Sequence, residues 1–322
     1  MTAVGVDVLT PLLDPATSAV AVAARQGDHE VLLVAGDAAP GEPATAGTRF
    51  EVGSLTKTFT ALLLADAVAR GEVRHDDPVD RHLATALGEG VTLEGLATHT
   101  SGLPRLPPGL LRAAVPAWRT NPYRDFGPEE MAAALRRTRV RRDHRVRYSN
   151  FGGAVLGLAL AAAAGRPYED LLAERVCRPL GLRDTGFATT PQATGHLRGR
   201  PRPPWEMPGM AAAGALRSSA RDLLAYLTAL LDRRTAAAVD VATPRVALSG
   251  TDHLCLVWNL RRRPGHDLVF HSGATRGFTA FAGFSPQRRT ALATLTNAGA
   301  TVRGTFVQHS YEALRTLAAT AG

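Results

Sequence analysis

Ser54 and Lys57 stand three residues apart in EVGSLTKTFTALL, residues 51 to 63. Lys57 is the only lysine in the chain: of 37 Lys plus Arg, the remaining 36 are arginine. On a surface either cation solvates and pairs with carboxylates, so the exception points to proton chemistry. A guanidinium keeps its charge at any physiological pH, whereas a desolvated ammonium can lose its proton and act as a base. In a helix beginning at the serine, positions i and i+3 share a face, about 5–6 Å apart at Cβ. The hydroxyl and the amine then meet in one pocket, as an activated nucleophile requires.

Such a pair needs a proton relay, an oxyanion hole and a surface that holds substrate. Tyr148 lies in RYSNFGG, where a phenol relays a proton if Lys57 lowers its pKa, and Asn150 offers an amide two residues on. His271 lies in VFHSGATRGF, ending a strand pattern before a Gly-containing turn. Gly273 lets another chain approach the backbone closely, and the Ala274 N–H can pair with that of Ser54 as an oxyanion hole. Other groupings read as structural. His99 and Ser101 in THTSG are i,i+2 neighbours, which do not face each other on a helix. The histidines and acids of RHDDPVDRH (74–82) lack zinc-site spacing, so no metal is expected. Trp205 and Met207, ahead of the small-residue stretch 209–215, fit an acyl pocket or the core equally well.

Residues 19–36 read as two apolar strands around the polar turn QGDH, a hairpin. A helix over 54–70 follows, apolar around most of its circumference and hence largely buried, with Gly71 as its C-cap. Residues 74–128 are rich in turns and prolines. Helical patterns cover 128–138, 151–164, 167–177 and 219–232. Strand patterns close the chain at 254–262, 267–273, 278–286 and 289–297, before an amphipathic helix over 305–319. Strands at both ends and helices between them imply an α+β fold, one antiparallel sheet flanked by helices with a mostly helical lobe inserted. The sheet domain is placed at 1–72 plus 235–322, the inserted lobe at 73–234, and the active site between them.

A chain of 322 residues, 45% hydrophobic and 20% charged, is globular in composition. The N-terminal stretch has no basic n-region, and the longest apolar run, 151–165, is too short and Gly/Ala-rich to span a bilayer. Cys177 and Cys255 suit buried structural thiols. A cytoplasmic protein without membrane attachment is expected. The net charge of +8 is densest at LRRTRVRRDHRVR (135–147). No interleaved aromatics accompany it, so no nucleic-acid partner is expected. A solvated face or an anionic partner remains.

Together the segments resemble the serine β-lactamase and penicillin-binding-protein superfamily: SxxK at Ser54–Lys57, YxN at Tyr148–Asn150 and HxG at His271–Gly273. They are most similar to its class C β-lactamase-related branch of esterases, D-aminopeptidases and transesterases. LEGLATHTSGLP (93–104), PYEDLLAERVCRPLGLRDTGF (167–187) and PGMAAAGALRSSARDLLAYL (208–227) match that pattern as well, and the resemblance runs from about residue 16 to 318. It implies Ser54 as nucleophile, Lys57 and Tyr148 as the base system, and Asn150 as holder of the lysine or the substrate amide. His271, Ser272 and Gly273 become the strand edge along which substrate lies, with Ala274 completing the oxyanion hole. No cofactor is implied. HSG stands where class C β-lactamases carry KTG, so efficient β-lactam hydrolysis is not expected. The expected activity is hydrolysis of a small-molecule ester or amide through an acyl-enzyme. The alternatives are acyl transfer to an alcohol or amine, with the 135–147 arginines docking an acidic carrier protein or coenzyme donor, and a catalytically silent binding protein on the same scaffold.

Overall fold

The computed structural model describes residues 5–13, 18–115 and 120–320. Pro116, one of the turn-marking prolines, and parts of the N-terminal stretch (1–4, 14–17) lie outside them.

Eight strands form one antiparallel sheet: β1 (Val20–Gln26), β2 (His29–Ala35), β3 (Val246–Ala247), β4 (Asp252–Leu254), β5 (Asn259–Arg263), β6 (His266–Ala274), β7 (Thr279–Ser285) and β8 (Thr290–Thr296). Their order is β2-β1-β8-β7-β6-β5-β4-β3. The N-terminal hairpin thus joins the last strand, with Val20 opposite Thr296 and Gln26 opposite Thr290.

Side chains alternate across a strand, and here each face acquires its own core. Val20, Val22 and Ala24 meet Phe281, Leu292 and the C-terminal helix residues Leu314 and Leu317 on one face. Ala21, Ala23, Ala291 and Ala293 face the main core on the other. Gly283 lets the C-terminal helix (Thr305–Thr320) approach, since a Cβ there would stand 2.6 Å from Leu314 Cδ2.

On the main-core face lie three helices: α1 (Thr56–Ala69), α2 (Asn150–Ala164) and α3 (Ala220–Leu231). Helix α3 lies within the 73–234 segment, yet it packs directly on β1, β7 and β8. Helix α1 runs behind it, with Phe59 stacked on Tyr226 of α3 at 4.1 Å. Its opposite side meets α2. Apolar around most of its circumference, α1 is largely buried, as such helices are, and Gly71 beyond its end takes φ +72°.

One expected strand divides in two. The run 254–262 becomes the end of β4, a buried turn, and β5, which pair with each other, Asp252 opposite Arg261. Val257 turns the chain at φ +69° and donates its N–H to Ala97 O at 2.9 Å. LCLVW is continuously apolar because this turn is buried, and apolarity alone does not separate a buried turn from a strand.

Candidate active site

Ser54 sits in a single 3-10 turn, Gly53–Leu55, that leads into α1. One turn on, Lys57 Nζ lies 3.1 Å from Ser54 Oγ. The lysine is 1% exposed and donates to the Ala213 carbonyl at 2.6 Å. Room for its stem comes from Gly153 of α2, where a Cβ would stand 3.0 Å from Lys57 Cε. Glycine inside a helix costs about 0.5–1 kcal/mol relative to alanine, and here the vacated space is filled by the lysine.

Tyr148 precedes α2, and its hydroxyl donates to Ser54 Oγ at 2.6 Å. Ser149 fixes that approach: its Oγ caps α2 by accepting from Gly152 N at 2.7 Å and donates to Pro104 O at 2.6 Å. Burial pushes the Tyr148 pKa up, but the Lys57 charge and the hydrogen bonds of Lys57 and Ser54 outweigh it, so the phenol is held below its ordinary value. Lys57 Nζ also lies 5.0 Å from the Tyr148 ring centroid. Asn150 turns its amide nitrogen to Tyr123 Oη at 3.2 Å. Its Oδ1 is buried without a partner among the described residues. Of the two partners expected for Asn150, the lysine makes no hydrogen bond with it among the described residues.

The opposite wall is backbone. β5 begins at Asn259, opposite Phe270, so residues 271–274 of β6 have no strand neighbour on that side among the described residues. Thr275 N donates to Phe278 O, which makes 275 and 278 a hydrogen-bonded pair across the turn. In an antiparallel ladder such pairs alternate, so the Ala274 N–H points away from β7 toward the free edge. That edge meets the Ser54 turn at a glycine on each side. A Cβ on Gly53, at φ +50°, would stand 2.7 Å from Ala274 N, and one on Gly273 would stand 2.0 Å from Val52 O and 2.9 Å from Ser54 N. Neither position admits a side chain, and the seam brings the Ser54 and Ala274 N–H groups together. Ser272 and Gly273 line the cleft beside Ser54, and so does His271.

His271 is 5% exposed, and burial followed by the Lys57 charge holds its pKa down at about 3. Its Nδ1 has no partner among the described residues. The cleft, of about 520 Å³, contains Ser54, Tyr148, Asn150 and the 271–274 edge. It also contains His99, which the sequence places in a purely structural turn. That turn is built: Arg147 N donates to the His99 carbonyl, and Arg141 N to that of Gly102. The His99 ring also lies 4.6 Å from the Tyr148 ring. Burial, then the Lys57 and His271 charges, hold its pKa at about 3.

Behind the site runs a buried network absent from the sequence reading. Glu51 accepts from Thr275 Oγ1 at 2.6 Å and from Trp205 N at 2.6 Å, and lies 3.7 Å from Arg217. Arg217 donates to Ala215 O and Gln192 Oε1. Thr275 follows Ala274 directly, so the network pins that strand end. Trp205 and Met207 do not line the cleft around Ser54. Trp205 packs edge-on against Tyr123, and Met207 is a core residue.

The 74–82 acids and histidines have protein partners: Asp77 accepts from Arg81 at 2.8 Å, His82 Nε2 lies 3.3 Å from it, and Asp80 accepts from the Leu87 and Gly88 N–H groups. His75 pairs with Asp240. Both cysteines are buried and unpaired. No described helix is long and apolar enough to cross a membrane.

The antiparallel sheet, the serine turn with the lysine-bearing helix it leads into, and the facing tyrosine define a β-lactamase-type fold. A solved class C beta-lactamase superposes with a TM-score of 0.82 at 22% identity, covering 97% of this chain and 94% of that one. The Beta-lactamase family model matches residues 7–315, and the chain belongs to that family of serine hydrolases. It is 33% identical over 153 residues to the D-alanyl-D-alanine-carboxypeptidase/endopeptidase AmpH of Escherichia coli (strain K12), a match covering 45% of this chain and 38% of AmpH. To a Beta-lactamase of Yersinia enterocolitica it is 26% identical over 314 residues, 81% of this chain and 76% of that one. The match to AmpH spans less than half of either protein.

Proposed function

We propose that the protein forms an acyl-enzyme on Ser54 and hydrolyses an ester or small amide. The observation that carries this reading is one oxygen, Ser54 Oγ, within hydrogen-bond reach of both Lys57 Nζ and Tyr148 Oη. Once the phenol has lost its proton, it accepts the Ser54 hydroxyl proton as the oxygen attacks the substrate carbonyl. Lys57 stabilises the phenolate, and the Ser54 and Ala274 N–H groups receive the oxyanion. Collapse of the tetrahedral species breaks the bond to the alcohol or amine, which leaves with the proton from Tyr148. Water, deprotonated by the same phenolate, then attacks the ester and regenerates Ser54. Asn150 Oδ1 and the 271–274 edge hold the substrate.

A fluorophosphonate probe followed by peptide mass spectrometry tests this. The expected result is one adduct on Ser54, absent in Ser54→Ala. A folded protein that takes no adduct under any condition is instead a silent scaffold.

A second reading, acyl transfer, draws on Arg136, Arg137, Arg139 and Arg141. All four are exposed, and they lie on the segment that ends at Tyr148. An acidic carrier or coenzyme donor docked there should lose affinity with rising salt and when the four become serine. Indifference to both treatments removes transfer from an acidic donor.

A further inference from the structure

Among the described residues, the cleft around Ser54 is lined by no Asp or Glu side chain. Its lining includes one guanidinium, that of Arg105, a residue exposed to solvent. The root of that side chain is fixed. The Arg105 carbonyl accepts from Asn150 N at 3.0 Å and from Phe151 N at 3.3 Å. The preceding Pro104 O holds Ser149 Oγ at 2.6 Å. Pro104 and Pro107 restrict the backbone on either side. Arg105 is therefore tied to the same helix start that presents Tyr148 and Asn150, and its Cζ stands 5.5 Å from the Tyr148 ring centroid.

Arg105 makes no ion pair with a carboxylate among the described residues. Arg217, Arg245 and Arg261, by contrast, all pair with acids. The other cation of the site, Lys57, is buried and committed to Ser54 and Ala213. A concave site with a cation at its wall and no acid concentrates anionic ligands, and a guanidinium fork matches a carboxylate in two parallel hydrogen bonds.

We infer that Arg105 is a specificity residue that selects acyl chains bearing a carboxylate, gripped by its guanidinium while the scissile carbonyl stands at Ser54. This rests on the proposed acyl-enzyme and names its substrate class.

The test compares p-nitrophenyl hydrogen adipate with p-nitrophenyl hexanoate, esters of equal chain length with and without a terminal carboxylate. The readout is the ratio of their kcat/KM values, corrected for enzyme-free hydrolysis. Because each ratio is internal to one protein preparation, partial misfolding of a variant cancels. The native protein should favour the adipate, and Arg105→Leu should lower the ratio by about 10–100-fold, the usual range for a charge-assisted hydrogen bond. Arg105→Lys, which keeps the charge, should retain more of the preference than Arg105→Leu. A ratio unchanged by Arg105→Leu, or reduced as much by lysine as by leucine, overturns carboxylate recognition while leaving the acyl-enzyme intact. If neither ester acylates Ser54, the acyl-enzyme reading fails, and this inference fails with it.

Discussion

The chain places cations in two contrasting settings. Lys57 is 1% exposed and each of its hydrogen bonds has a named acceptor, Ser54 Oγ and Ala213 O. The arginines of 136–145 are exposed, and no salt bridge is formed by Arg136, Arg137, Arg139 or Arg141 among the described residues. Arg217 resembles the lysine: it is 1% exposed and held by Glu51 and backbone carbonyls. A buried cation must be satisfied by its surroundings at a particular geometry, because desolvation costs several kcal/mol. An exposed one is served by water, and its position is loosely specified. Charge count alone therefore says little about which basic residue matters.

The sharpest way to break the comparison is to exchange the two kinds of cation. Lys57→Arg keeps the charge but overfills a cavity that Gly153 already leaves only just wide enough for the lysine stem. Acylation of Ser54 should fall by about 10³-fold or more, read by burst kinetics with a chromogenic ester. Wild-type rates would refute a specific role for the amine. Tyr148→Phe should cost about 10²–10⁴ in kcat/KM, the range for a positioned acid–base group, with the folded stability little changed. The buried pair gives the next effect. Glu51→Ala strands the Arg217 charge and should destabilise the protein by about 3–5 kcal/mol in urea unfolding; a shift below 1 kcal/mol would mean that water reaches the site.

Two buried imidazoles add a pH dependence. His99 and His271 are held at about 3 against an ordinary 6.5. Between these values the unfolded chain binds protons that the folded protein refuses. Stability is thus fully present above 6.5 and declines as pH falls toward 3. Unfolding at pH 5 should take up about two protons from these groups, and His99→Gln should remove about one of them, as measured from the pH dependence of the urea midpoint. An unchanged slope would place the ring in contact with water. The smallest effect belongs to the exposed face. Arg136, Arg137, Arg139 and Arg141 changed singly to serine should each alter stability by no more than about 0.5 kcal/mol.

Much of the frame was legible because periodicity reports burial. The strand patterns at 267–273, 278–286 and 289–297 correspond to β6, β7 and β8, and the 54–70 pattern to α1 and its leading turn. Contacts between remote segments are not legible in this way. LCLVW carries a strand-like pattern because a buried turn is as apolar as a strand. The spacing of His99 and Ser101 reports a turn, which is present, but not that the His99 ring meets Tyr148, 49 positions away. Gly153 carried a usable signal: a glycine inside a long buried helical pattern implies something packed close against it. For Ala213, which contributes only a carbonyl oxygen, the side chain offers no signal at all. Glu51 and Arg217 are likewise ordinary surface types by composition, and only their pairing marks them as internal.

By itself the sequence determined which side chains have types and spacing suited to chemistry and which local elements hold them. A lone lysine three positions after a serine, glycines where backbone meets backbone, and alternating or helical apolar patterns are properties of side-chain type and spacing. The tertiary structure decided what those residues face. The 2.6 Å contact of Tyr148 with Ser54, the exposed edge of β6, the placement of Arg105 beside the Tyr148 ring at the cleft and the depressed imidazoles all depend on contacts between segments remote in the chain. Local patterning cannot specify them, because burial, electrostatic field and hydrogen-bond geometry arise only where those segments close around one another.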